Sequence, residues 1–217
     1  MVVAIAGGHG KIGLRLTTLL AERGDRALSL IRDPAQAEHV ATAGGEPVIA
    51  DLESAAVDEV ARSIEGADAV VFSAGAGPGS GAERKLTLDR DGAILMADAA
   101  HAAGARRYVM VSSMGADPSH AGDEVFDVYL RAKGEADAAL AKSGLDFTIV
   151  RPGRLTDRPG TGLVEIGASV NRGEVSREDV AAVLAATLAQ PGTIGRTFEL
   201  VEGAERIEAA LAKLGAA

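Results

Sequence analysis

Val2-Val3-Ala4-Ile5-Ala6-Gly7-Gly8-His9-Gly10-Lys11-Ile12-Gly13-Leu14 opens the chain with a β-branched run, a glycine turn and the start of an amphipathic helix. Val2 to Ile5 is short and wholly apolar, the pattern of a strand covered on both faces. The helix continues through Leu16, Leu19 and Leu20. Between them Gly8, Gly10 and Gly13 spell G-x-G-x-x-G, and Gly7, Gly10 and Gly13 also fit G-x-x-G-x-x-G. The motif takes its meaning from context, since it follows a strand and opens a helix. There the early glycines permit a tight turn and close approach of backbone to a pyrophosphate, and Gly13 lets helix and strand pack closely. The turn around Lys11 and Ile12 supplies free amides and a favourable dipole.

The same alternation runs on from this unit. Strands are expected at Ala27–Ile31, Val48–Ile49, Ala69–Phe72, Tyr108–Val111 and Phe147–Val150. Helices are expected after Pro34, over Glu53–Ile64, from about Lys85 to His101 and over Asp123–Lys142. Short apolar strands separated by helices imply a parallel sheet covered on both faces, and right-handed crossovers make it doubly wound. Beyond Arg151 the pattern loosens. Pro159 to Gly173, with four glycines, reads as loop. Ser176-Arg177-Glu178-Asp179 resembles a capping box and opens a helix to about Gln190, followed by a strand at Thr197–Val201 and a helix at Ile207–Leu214. With no linker, repeat or low-complexity tail, residues 1–217 read as one α/β domain of the Rossmann type. Residues 1–150 form its nucleotide-binding core, and 151–217 a small C-terminal extension on the substrate side.

Composition removes several functional classes. A net charge of −9 and 3% aromatics argue against nucleic acid and anionic membrane surfaces as partners. The absence of cysteine excludes disulfides, thiolate nucleophiles and cysteine-bound metal. His9, His39, His101 and His120 are scattered, so no metal site is expected. No secretory signal and no stretch of about 18 apolar residues is evident, so a cytoplasmic location is expected.

About 20 residues past the glycines, an acidic residue would grip a ribose 2′-hydroxyl, and an arginine would suit a 2′-phosphate. The second strand ends in Arg32 followed by Asp33-Pro34. Asp33 before proline is explained as a helix N-cap, which leaves Arg32 for the phosphate and favours NADP(H) over NAD(H). Asp51-Leu52 ends the third strand, where it either touches adenine or caps the following helix.

Tyr129 and Lys133 lie four apart on one helix face. An ammonium beside a phenol favours the phenolate, which suits a proton donor to a carbonyl. Ser112 and Ser113 end the fifth strand on the same sheet edge. With GGHGKIG, LIRDP, VVFSAGAG, VMVSSMGA, YLRAKGEAD, TIVRPGRLTD and SREDVAAVL in this order, the chain resembles the short-chain dehydrogenase/reductase superfamily. The likeness is to its atypical NAD(P)H-binding branch, with NmrA-like and flavin reductase-like proteins.

The resemblance implies roles by position. Gly7, Gly10 and Gly13 would hold pyrophosphate, Arg32 the 2′-phosphate, Asp51 and Leu52 adenine, and Ala74 and Gly75 the ribose side. Ser113, less favoured Ser112, would join Tyr129 and Lys133 as the catalytic set. Lys133 would also hold the nicotinamide ribose, and Pro152 and Gly153 would wall the nicotinamide. Asp89 stands where many relatives carry asparagine. Sugar-modifying members carry a longer C-terminal region than residues 152–217, which speaks against a nucleotide-sugar epimerase. The expected activity is NADPH-dependent reduction of a small carbonyl, quinone or flavin-like acceptor. The alternative is an NADPH-binding redox sensor acting through a protein partner. The sequence leaves the oligomeric state open.

Overall fold

The computed structural model describes residues 1–77 and 79–215. β1 (Val2–Ala6) lies between β2 (Arg26–Ile31) and β4 (Ala69–Phe72). β3 (Glu46–Ile49) flanks β2, and β5 (Arg107–Val111), β6 (Asp146–Pro152) and β10 (Arg196–Glu202) follow β4 in that order, all parallel. The resulting order, β3-β2-β1-β4-β5-β6-β10, reverses direction between β1 and β4, the switch point where doubly wound folds bind ligands. β8 (Leu163–Gly167) then pairs antiparallel with β10, β11 (Glu205–Arg206) pairs antiparallel with β8, and β7 (Arg154–Thr156) and β9 (Glu174–Ser176) form a separate parallel pair.

The pleat explains why the strands are so apolar. Val3 and Ile5 point into one core and Ala4 and Ala6 into the other, and all four are fully buried. The first core is closed by α1 (Lys11–Glu22), α7 (Arg177–Leu188) and α8 (Ile207–Gly215). α1 contributes Ile12, Leu16 and Leu20 at a four-residue spacing. The second is closed by α3 (Val57–Ser63), α5 (Ala93–Ala102) and α6 (Val125–Lys142), where alanines such as Ala97 and Ala100 bring helix and sheet close.

Three expectations need correction. No helix begins at Glu53: the Asp51 carboxylate accepts the Glu53 amide at 3.1 Å and its carbonyl accepts Ala55 at 2.8 Å, which closes a turn, so α3 starts at Val57. Pro159 to Gly173 is not all loop, because β8 lies inside it, its Val164 fully buried in the first core. The helix expected from Lys85 to His101 is not uniform. A short α4 (Ala82–Arg84) leads into a π-helical segment, Lys85–Gly92, before α5 resumes. As expected, Asp33 caps the turn at Pro34 through the Ala35 amide at 2.9 Å, and the Ser176 hydroxyl caps α7 through Asp179.

Candidate functional site

The loop between β1 and α1 is shaped for close approach. Gly7 has φ +80°, and a Cβ there would meet the Ala74 backbone at 2.7 Å. A Cβ on Gly13 would collide with the Gly7 carbonyl oxygen. No side chain caps α1 at Gly10 and no acidic residue occupies its first turn, so the amides at its start are left for an anion.

Two adjoining cavities open over this loop. The first, about 290 Å³, is lined by Gly7, Gly10, Arg32, Asp51, Leu52, Ala74 and Gly75 together with His9, Gln36, Glu53 and Arg84. The second, about 660 Å³, takes Gly10, Lys11, Ile12, Ala74 and Gly75 and continues to Ser112, Tyr129 and Lys133. The shared residues make one continuous groove across the switch point. Ser113 does not line either cavity, and its hydroxyl turns to the Met114 carbonyl at 3.3 Å. Ser112 does, and its hydroxyl is buried beside the Asp137 carboxyl. Pro152 and Gly153 lie behind the groove, tied into β10 and the 173 turn rather than lining either cavity: Gly153 donates to Leu200 at 2.9 Å.

At the first cavity Arg32 is more than half exposed and reaches Glu53 at 3.2 Å. Glu53 also accepts Arg84 at 3.0 Å and Thr87 at 2.8 Å. Burial raises the Glu53 carboxyl, but hydrogen bonds from Arg84 and Thr87 and the two arginine charges outweigh it and hold the group below the usual range. The sequence reading missed both Glu53 and Arg84, because they reach the cleft from a turn and from α4. It also took the histidines as scattered, yet His9 and His39 stack with ring centroids 5.0 Å apart and join nitrogen to nitrogen at 2.7 Å. Among the described residues no cluster of three metal-ligating side chains forms.

At the second cavity the π-helical segment brings Lys85 and Asp89 inward. Lys133 sits 3.4 Å from Asp89 and donates to the Val111 carbonyl at 3.1 Å. Asp89 also accepts the Ala76 amide at 3.1 Å, which pins the segment after β4. Among the described residues the Tyr129 hydroxyl has no hydrogen-bond partner; its ring packs on Phe126, centroids 5.9 Å apart. Asp137, one turn past Lys133, is buried against Arg151 at 2.8 Å; burial pushes its carboxyl up, opposed by the Ser112 hydroxyl, the Arg151 guanidinium and the Lys133 charge.

An uncapped helix start over a glycine cradle, continuous with an adenosine-sized cleft, is what a dinucleotide needs. The family described as NAD(P)H-binding matches residues 7–191 of this sequence. The chain belongs to the NAD(P)H-binding family. It is 39% identical to the uncharacterised sugar epimerase YhfK of Bacillus subtilis, over 99% of this chain and 100% of that one. A solved structure from Bacillus halodurans, provisionally assigned as an NAD-dependent epimerase/dehydratase, superposes with a TM-score of 0.91 at 35% identity. The match covers 98% of this chain and 99% of that one. The oxidoreductase ylbE of Lactococcus lactis gives 0.85 at 27%, covering 99% and 96%. The NAD(P)H-binding resemblance read from the sequence is thus borne out. No helix among the described residues is long and apolar enough to cross a membrane.

The family's dinucleotide fits the residues present. At Gly7, Gly10 and Gly13 a Cβ would press on neighbouring backbone, so the loop stays bare where a pyrophosphate would lie, and Ser112 lines the cavity beyond it.

Proposed function

We propose that this protein is an NADPH-dependent oxidoreductase acting on a small carbonyl, quinone or flavin-like acceptor. The observation that carries the reading is the continuity of the two cavities. The adenosine cleft shares Gly10, Ser73, Ala74 and Gly75 with a larger chamber lined by Ser112, Tyr129 and Lys133.

The backbone of the Gly10 turn and the first amides of α1 hold the pyrophosphate, and Arg32, with Arg84 beside it, holds the 2′-phosphate. When bound, the nicotinamide supplies hydride to the acceptor. Ser112, which lines the chamber beside the Asp137 carboxyl, donates a hydrogen bond to the acceptor oxygen. Tyr129 delivers the proton to that oxygen as the carbonyl becomes an alcohol. Lys133, held by Asp89 and the Val111 carbonyl, places its ammonium in the same chamber, where it holds the nicotinamide ribose. Ser112 takes the serine role here rather than Ser113, whose hydroxyl bonds to its own turn.

Chain length does not decide against epimerisation, since YhfK has the same length and bears that name. The reductase reading rests on the site instead. The redox-sensor reading draws on one observation, that Asp89 and Val111 already engage the Lys133 ammonium. Tyr129→Phe separates them. On the reductase reading, NADPH oxidation with an acceptor panel falls by about 10²- to 10⁴-fold while NADPH binding is unchanged. Undiminished turnover in the variant would remove Tyr129 as donor, and no turnover in the wild type would favour the sensor.

A further inference from the structure

Lys85 has no task in the chemistry above, yet it is placed as if it had one. It is 8% exposed on the π-helical segment and lines the larger cavity. Its ammonium donates to the Gly77 carbonyl at 2.9 Å and lies 5.3 Å from the Tyr129 ring centroid. An ammonium carries three donors, and among the described residues Gly77 is its one hydrogen-bond acceptor.

Charge around it does not balance. Lys11, Lys85, Lys133 and Arg177 line the cavity against one lining carboxylate, Asp89. Lys11 and Arg177 share Asp157, at 2.5 and 2.8 Å. Asp89 is taken by Lys133 and the Ala76 amide. That leaves Lys85 as the cation with no ion-pair partner within 4 Å among the described residues. Buried charges are ordinarily paired, because an isolated one in a low-dielectric setting is costly. Burial pushes the Lys85 ammonium below its usual range, Asp89 opposes this, and the charges of Lys133 and Arg84 add to it. An anion at this point would relieve all three costs.

The outer wall of the cavity is apolar. Val125 and Phe126, at its rim, are two of the chain's exposed large hydrophobics, 44% and 65% exposed, and Leu155 lines it as well. Phe126, stacked on Tyr129, extends an aromatic surface outward.

We propose that Lys85 anchors an oxyanion on the acceptor, so that this cavity selects apolar, ring-bearing substrates that carry a carboxylate or similar negative charge. This rests on the reading of the larger cavity as the acceptor site. The nucleotide takes Lys11 and the phosphate loop; Lys85 serves the second ligand.

The test uses two fluorescent probes of one frame, 8-anilinonaphthalene-1-sulfonate and its uncharged parent N-phenyl-1-naphthylamine. Both are titrated into the full chain with and without saturating NADP⁺. The wild type is expected to prefer the sulfonate. Lys85→Met should weaken the sulfonate at least tenfold and change the neutral probe less than threefold, and Lys85→Arg should retain the preference. Equal weakening of both probes by Lys85→Met, or no charge preference in the wild type, overturns the proposal. The wild-type arm and Lys85→Arg decide the matter if Lys85→Met does not fold. Calorimetric titration of NADP⁺ into the same protein tests the nucleotide reading separately: no binding would sink it and leave the Lys85 comparison legible in the nucleotide-free titrations.

Discussion

Position 89 holds a carboxylate, 1% exposed, between the Lys133 ammonium and the Ala76 amide. Removing it leaves a buried ammonium unpaired, so Asp89→Ala should cost about 3–5 kcal/mol in denaturant unfolding. Asp89→Asn, which keeps an acceptor for Ala76, should cost less; equal losses would mean that the ion pair alone carries the effect and the Ala76 contact does not matter. Arg32 allows a finer prediction, because a charge-assisted contact to phosphate is lost outright. Arg32→Ala should weaken NADPH on the order of 10- to 100-fold and leave NADH nearly unchanged in paired titrations. A parallel loss for both nucleotides would move phosphate recognition elsewhere. Residues were legible in sequence where a local pattern constrains them, as at Gly7, Gly10 and Gly13 or at Tyr129 and Lys133. Lys85 and Glu53 carry no such pattern. Their place in the site comes from chain geometry far from the glycines, as does the meeting of His9 with His39. The choice between Ser112 and Ser113 turns on which side of the strand end faces the cavity, and two consecutive serines hide that.

Elements were readable wherever a run of one period was long enough. β4 and the body of α6 follow directly from apolar spacing, and Ser176 announced α7. The Ser176 hydroxyl accepts the Asp179 amide at 2.9 Å, and Asp179 in turn accepts Thr161 and Gly162. Ser176→Ala should therefore lower thermal stability by about 1 kcal/mol, the ordinary worth of a cap. A loss well beyond that would show that the serine also holds Asp179 in place for the loop. Where the sequence misled, a second interaction overrode the period. Asp51 captured its own downstream amides and delayed α3, and β8 formed among glycines because β10 offered it an open edge. The π-helical segment is invisible in composition: leucines at 86 and 88 suit an α-helix equally well, and only packing against α6 reveals the wider turn.

Across the whole molecule, acid sensitivity follows from carboxylates tied to cations. Asp25, held by the N-terminal ammonium and Arg23, lies below the usual carboxylate range, as do Glu46 beside Arg26 and Asp157 beside Lys11. A folded value below the unfolded one gives stability that is present above about pH 4 and is lost as pH falls through the lower folded value. Asp137, raised by burial, works in the opposite sense, but it stands alone against the tied groups. The urea midpoint should be level near neutrality and drop below about pH 4; a rising midpoint there would mean that Asp137 dominates. The contrast between a net charge of −9 and a cation-lined groove also has a kinetic side. At physiological salt the field of the net negative charge is largely screened beyond about 8 Å, a Debye length, so an incoming anion feels little until it is close to the cation-lined groove. On the proposed reading an anionic ligand arrives without long-range steering and is kept by contacts inside the groove, so added salt should speed its escape more than it changes its arrival.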